Sequence, residues 1–363
     1  MYKLKQLPED FVVQEISFII PKNAGEYLYF KLTKKNWNTL DAVKEIAKIL
    51  RIKEKEIGFA GSKDKSAVTE QIISFSSSSK INTEKIANLK VKDIHLDFFG
   101  QGDVPISLGD LQGNKFKIVV RKLDGSRLSN LKTLFERKNN PIYIPNYFDE
   151  QRFSENNVKI GKYILLKDFK EAVKLVDNPR CQEHLALKPN DAVGALKLVP
   201  SRLLRMYVNS FQSYLWNETL KLYLEQKDDA SKKKVLQKEV LQKEVLKKVD
   251  YSLSYFVFVK NAEGFKEEKI PLIGFNEERV SEEFKLIIKS LMEKEKISHS
   301  DFIIKQIPEL SLEGEFRKAV IEVTDLHLSA FEKDELNSGM QKVTLEFSLP
   351  KGSYATIVVK ALF

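Results

Sequence analysis

The segment Ile57–Gln71, IGFAGSKDKSAVTEQ, gathers the residues best suited to chemistry in this chain. Ala60, Gly61 and Ser62 form a small-residue turn, which lets a backbone and a ligand approach closely. The turn delivers Lys63-Asp64-Lys65 between two apolar stretches. An Asp flanked by two Lys sits in a positive field that favours its ionised form. On local pattern alone, a hairpin whose Asp bonds only its own backbone fits better, because most turn aspartates are structural.

Other chemistries lack their residues. The four histidines, His95, His184, His299 and His327, lie far apart and none has a metal-ligand spacing. Cys181 is the one cysteine, so neither a disulfide framework nor a multi-thiolate zinc site is available. No GxGxxG, P-loop or GxSxG element occurs. Carboxylates, lysines and aromatics remain, and the expectation is an activity without metal or cofactor. The single cysteine fits a reducing compartment. The polar start, MYKLKQLPEDF, is unlike a signal peptide. No apolar run approaches the roughly 20 residues of a membrane span. A soluble cytoplasmic protein, monomeric and not bound to a membrane, is expected.

The chain has 363 residues, 42% of them apolar, which is enough for sizeable cores and more often two domains than one. Its 60 Lys and Arg against 51 Asp and Glu leave a net charge of +9, which favours a polyanionic partner.

The elements that must position the turn follow from periodicity. Tyr27–Lys34 alternates as a strand. Thr39–Leu50 is an amphipathic helix capped by Asn38 or Thr39, with Ala42, Ile46, Ile49 and Leu50 on one face. Ile57–Ala60 and Val68–Phe75 are apolar strands on either side of the turn, and Lys115–Arg121 is another, with Gly113-Asn114 before it as a turn signal. Leu128–Lys138, Leu203–Glu225 and Glu282–Glu295 have helical spacing, and Val343–Leu349 and Tyr354–Val359 read as strands about a turn at Pro350-Lys351-Gly352. Strand-rich, helix-rich, strand-rich order suggests one sheet domain interrupted by an insertion. Residues 235–248 repeat VLQKE, a five-residue step that keeps its Val-Leu pairs on no single helix face. A tolerated surface duplication explains it best.

Six blocks then resemble the TruD family of pseudouridine synthases, in order along nearly the whole chain. The turn segment resembles the signature FAGxKDxxAVTxQ. Around it stand LPEDFVVQE (Leu7–Glu15), LGDLQGNKFKIVVR (Leu108–Arg121), IPNYFDEQRF (Ile144–Phe153), FQSYLWN (Phe211–Asn217) and FSLPKGSYATIVVKAL (Phe347–Leu362). The resemblance implies an α+β fold: a pseudouridine-synthase catalytic domain with a mostly antiparallel mixed sheet, residues 1–141 and 323–363, interrupted by an α/β insertion (TRUD) domain, residues 142–322. It implies an isomerase that turns a uridine of tRNA into pseudouridine, at U13 of the D arm, with RNA in a cleft between the domains. The alternatives are a tRNA-binding or folding-chaperone protein of the same fold, and a hydrolase using the same carboxylate.

Asp64 matches the family's catalytic Asp, for which three roles stay open: stabilising an oxocarbenium centre, attacking C1′, or taking a proton from C2′. Lys5 matches the family's lysine three residues before the proline and would pair with Asp64, keeping it ionised. Phe116 would pack on the base, Asn114 would bond Asp64 or the uracil edge, and Phe11 would wall the pocket. Lys63 is placed with these as a substrate-binding residue. Lys22, Lys34, Lys35 and Arg152 are expected RNA contacts. The sequence departs from the family pattern where Asp149 and Ser154 stand for Gly, where Lys360 stands for a common Arg, and where FFGQGDVPIS lacks a basic cluster, so RNA-contact details there differ.

Overall fold

The computed structural model describes residues 2–76, 83–125, 131, 141–154, 156–237, 247–259, 262–276 and 280–363. The helix expected at Leu128–Lys138 lies outside them, Leu131 apart, as does most of the repeat at 235–248. The described chain divides into two compact units. Unit 1 holds residues 1–141, 323–355 and 362–363, and unit 2 holds 142–322 and 356–361.

Unit 1 is built on one mixed sheet. In chain order it contains β1 (Phe11–Ser17), β2 (Tyr27–Lys35), helix α1 (Thr39–Leu50), β3 (Ile57–Phe59), β4 (Val68–Ser76), β5 (Ile94–Gly102) and β6 (Leu111–Leu123), and later Val320–Leu328 and Gln341–Pro350. The spatial order is β5-β2-β4-β1-β6, then Gln341–Pro350, then Val320–Leu328, with β3 also paired to β4. Only β1 and β4 run parallel among the pairs with a described register in this sheet. The fold is α+β.

Side chains of paired residues share a face, and a strand alternates faces every residue. The register Val13↔Thr69↔Lys34 on one side and Val13↔Phe116↔Phe347 on the other therefore defines one face across five strands. Glu15, Asn114 and Leu349 lie on it one step further along, and Phe11 on the other side of Val13. One half of this face is covered by α1: Ala42, Val43, Ile46, Ala47 and Leu50 pack with Phe30, Leu32, Ile73 and Phe75. Asn38 caps α1 by accepting a hydrogen bond from Asp41 N at 2.8 Å, as its position before the helix predicts. Ile49, expected on the buried face, is 44% exposed, because Val43 and Ala47 complete the apolar stripe instead.

Gly113 and Asn114 are not a turn. They lie inside β6, opposite Ile16 and Glu15. Gly113 is needed for close approach: a Cβ there would stand 2.1 Å from the Leu349 carbonyl oxygen.

Unit 2 is mainly helical, around the long helix Ser201–Gln237, whose Phe211, Leu215, Trp216 and Leu220 are fully buried. A hairpin, Lys247–Tyr251 with Ser254–Phe258, and a second two-stranded antiparallel sheet, Lys269–Leu272 with the distant Glu315–Lys318, complete it. The expected strand Tyr354–Val359 is a helix, Ala355–Leu362. Its β-branched residues suggested a strand, but tertiary contacts override propensity. Thr356 and Lys360, one helical turn apart, both bond the Asp149 carboxylate, Lys360 at 2.6 Å, a spacing that only a helix provides. Two departures from the family pattern, Asp149 and Lys360, are thus one ion pair.

Candidate active site

The turn from Ala60 to Ala67 lies against the half of this sheet face that carries Asn114, which Lys63 contacts. Its backbone is held from beneath. Thr39 Oγ1 accepts from Lys63 N at 2.9 Å and donates to Gln71 Oε1 at 2.8 Å, while Gln71 Nε2 donates to the Gly61 carbonyl at 3.1 Å. Lys34 Nζ donates to the carbonyls of Trp37 at 2.6 Å, Asp64 at 3.1 Å and Lys63 at 3.4 Å. Lys34, expected as an RNA contact, is therefore corrected: it is 1% exposed, and its ammonium braces the turn. Burial pulls its pKa down to about 8, with Lys63 acting in the same direction and Asp64 against it.

Asp64 is half-buried at the tip. Lys5 Nζ donates to its Oδ2 at 2.6 Å and also sits 4.2 Å above the Phe11 ring centre. Lys5 itself has φ +54°, a left-handed conformation uncommon for a side-chain-bearing residue. The ring of Phe11 meets Phe116 edge-on at 6.2 Å, and Phe116 lies 5.6 Å from Phe347 at 30°. The structure thus brings Lys5, Phe11, Asp64, Asn114 and Phe116 to one face of unit 1.

Lys63 takes another place than expected. Its side chain is 6% exposed, and its ammonium donates to Asn114 Oδ1 at 2.7 Å and lies 2.9 Å from Glu15 Oε2. Expected to bind substrate itself, Lys63 instead spends its ammonium on Asn114 and Glu15. Glu15, 1% exposed at its side chain, accepts from Ile72 N at 3.3 Å through Oε1.

Lys22 and Lys35 lie at the surface of unit 1, paired with Asp103 and Glu9. Arg152 belongs to unit 2, where its Nε donates to Ser213 Oγ at 3.3 Å and its guanidinium stands 5.8 Å from the Phe148 ring centre.

Sequence reasoning missed Thr39, Gln71, Glu15 and Phe347 as parts of this arrangement. Parity was the available signal. Phe347 shares its side of the strand with the buried Leu345 and Leu349, and Lys34 shares its side of β2 with Phe30 and Leu32.

A carboxylate held by a lysine beside three aromatic rings and an amide suits a flat, uncharged ring attached to a sugar. The comparisons with known proteins bear on the chain as a whole. The family model described as tRNA pseudouridine synthase D (TruD) matches residues 2–184 and 178–362. A tRNA pseudouridine synthase D of Aquifex aeolicus is 30% identical over 99% of this chain and 98% of its own length. A Methanococcus maripaludis protein assigned to the same enzyme is 33% identical over 99% of both. A crystal structure of a Methanosarcina mazei protein assigned to TruD superposes with a TM-score of 0.66 at 26% identity, over 99% of this chain and 93% of that one. With a family match end to end and the fold shared with a solved relative, this chain belongs to the tRNA pseudouridine synthase D family.

Proposed function

We propose that this chain isomerises a uridine of tRNA to pseudouridine, U13 of the D arm, with Asp64 as the carboxylate that acts at the sugar. The observation that carries the reading is the Lys5–Asp64 pair, 2.6 Å apart, set beside Phe11, Phe116 and Asn114 on one sheet face. The same reading places the protein in the cytoplasm, as a monomer, with Lys22, Lys35 and Arg152 available to phosphates.

The reaction breaks the N1–C1′ bond, turns the uracil over, joins C5 to C1′, and moves one proton from C5 to solvent while N1 gains one. No atom is added or lost. The base must leave its stack, and packing against Phe116 and Phe347 replaces part of what it loses. Lys5 bonds Oδ2 of Asp64, which leaves Oδ1 for the sugar. That oxygen can attack C1′, take the C2′ proton, or stabilise an oxocarbenium centre.

The test is site-resolved mapping of pseudouridine in a tRNA transcript treated with the wild-type protein or with Asp64→Asn. We expect full conversion by the wild type, none by the variant, and similar tRNA affinity for both. Full activity in the variant would remove Asp64 from its role. Free uracil instead of a mass-neutral product would make the protein a hydrolase.

A further inference from the structure

The geometry points to Glu15 and Lys63 as positioning residues that lock the Asn114 amide with its N–H2 end toward the base, so that the site presents a fixed donor which uracil satisfies both before and after it is turned over. The inference rests on the uridine-isomerising reading above and names how that site recognises its base.

The first step is a matter of which atoms can face each other. A lysine ammonium has three donors and no acceptor, so the end of Asn114 that meets Lys63 must be its oxygen. The contact is 2.7 Å, Nζ to Oδ1. Lys63 cannot swing away to release the amide, because Glu15 Oε2 lies 2.9 Å from the same ammonium and both side chains are buried, at 6% and 1% exposure. Glu15 is in turn opposite Asn114 in the β1–β6 register, and its other oxygen is held by Ile72 N. Flipping the amide would turn N–H2 against the ammonium and leave a buried donor unpaired. Asn114 Nδ2 has no protein acceptor among the described residues, and Asn114 is half-buried, two residues from Phe116 on the same strand face. Its N–H2 is left for a ligand on that face.

The second step concerns the base. Turning uracil by 180° about the line through N3 and C6 exchanges N1 with C5, which is the isomerisation, and exchanges the C2 and C4 carbonyls. A donor fixed beside one carbonyl therefore meets the other at the same place after the turn. Cytosine lacks this symmetry. Its exocyclic amine would face the donor in one of the two orientations, donor against donor. A locked amide thus holds uracil through the rearrangement and disfavours cytidine at one stage or the other.

The experiment uses the full chain and a tRNA transcript carrying uridine, 2-thiouridine or 4-thiouridine at the modified position. Two variants are made: Asn114→Asp, which still pairs with Lys63 but presents an acceptor, and the charge-free double variant Glu15→Gln/Lys63→Met, which lets the amide rotate without stranding a buried charge. Both should keep the wild-type unfolding temperature within a few degrees and bind tRNA with unchanged Kd. Asn114→Asp should lose turnover by roughly a hundredfold or more, as when a positioned donor is removed. The double variant should lose about tenfold in kcat/KM, the worth of one net hydrogen bond. The wild type should be slowed by sulfur at either carbonyl, and the double variant should be slowed markedly less by both, a response that a purely structural role would not produce. Near-wild-type turnover in Asn114→Asp, or unchanged thio-sensitivity in the double variant, would overturn the inference. Wild-type conversion together with an inactive Asp64→Asn would in that case leave the reaction assignment standing.

Discussion

Among the described residues, unit 1 buries charge around Arg121 and beside Asp64, and the two groups are built differently. Around Arg121 the guanidinium donates to Asp10 through Nε at 2.9 and 3.0 Å and through Nη2 at 2.8 Å, and to Asp334 through Nη1 at 3.0 Å. Asp334 also accepts from Lys122 N, Leu336 N and Asn337, and Asp10 from Leu7 N. Every partner is aligned and the lone pairs are filled. Around Asp64 the cations are lysines. One carboxylate oxygen stays free of Lys5, Glu15 Oε2 faces Lys63 without an aligned hydrogen bond, and Lys34 grips backbone carbonyls rather than an acid. Arginine's rigid fork suits a closed network, whereas lysine supplies a point charge on a flexible stem. The closed network ties β6 to the residues around Asp10 and Asp334. The open one leaves hydrogen-bonding capacity for a ligand.

If that difference is real, Arg121→Met should be the most costly change to stability. It strands two buried carboxylates, which costs about 3–5 kcal/mol. We expect a large fall in the urea midpoint, with the activity of the remaining folded protein little altered. A loss under about 1 kcal/mol would erase the contrast with the Asp64 end.

Lys5→Met should show the opposite balance. The Lys5–Asp64 pair is partly exposed, with side chains 18% and 37% accessible, so its contribution to stability should stay within about 1 kcal/mol. Turnover should nevertheless fall by roughly a hundredfold, because the carboxylate loses its fixed orientation. Unfolding curves and initial rates measured on the same preparation separate the two effects. A variant that is fully active, or one that is strongly destabilised, would place Lys5 with Arg121 as architecture.

The contrast also explains what was legible in the sequence. Local signals were strong for α1, with its Asn38 cap and apolar stripe, and for β4 and β6, with their alternation. The tip of the turn was legible through its small residues and the KD pair. Its support was not. Asp10 and Arg121 are 111 positions apart, and nothing local to either residue points to the other. Glu15 and Thr39 touch Lys63 across 48 and 24 positions, distances at which no periodicity operates. Lys34 was misplaced because charge was weighed above parity: its alternation with Leu32 already put it inward. The helix at Ala355–Leu362 was misread because its β-branched residues outweighed a partner, Asp149, some 200 positions away.

Lys34 offers the smallest effect and the finest discrimination. Its ammonium is buried among backbone carbonyls, facing Asp64 and Lys63 as its charged neighbours, and its folded pKa is about 8 against an ordinary 10.5. Between those two values the unfolded chain holds the proton and the folded chain does not. Stability linked to this group therefore rises with pH across that window, by at most about 1.4 kcal/mol per pH unit, and is flat below it. Lys34→Met lacks the proton in both states and has no such slope. Urea unfolding of both proteins at pH 7.5, 8.5 and 9.5 should show the wild type gaining on the variant as pH rises. Parallel curves would mean that the ammonium is solvated in the folded protein, which would return Lys34 to the surface and remove the brace beneath Asp64.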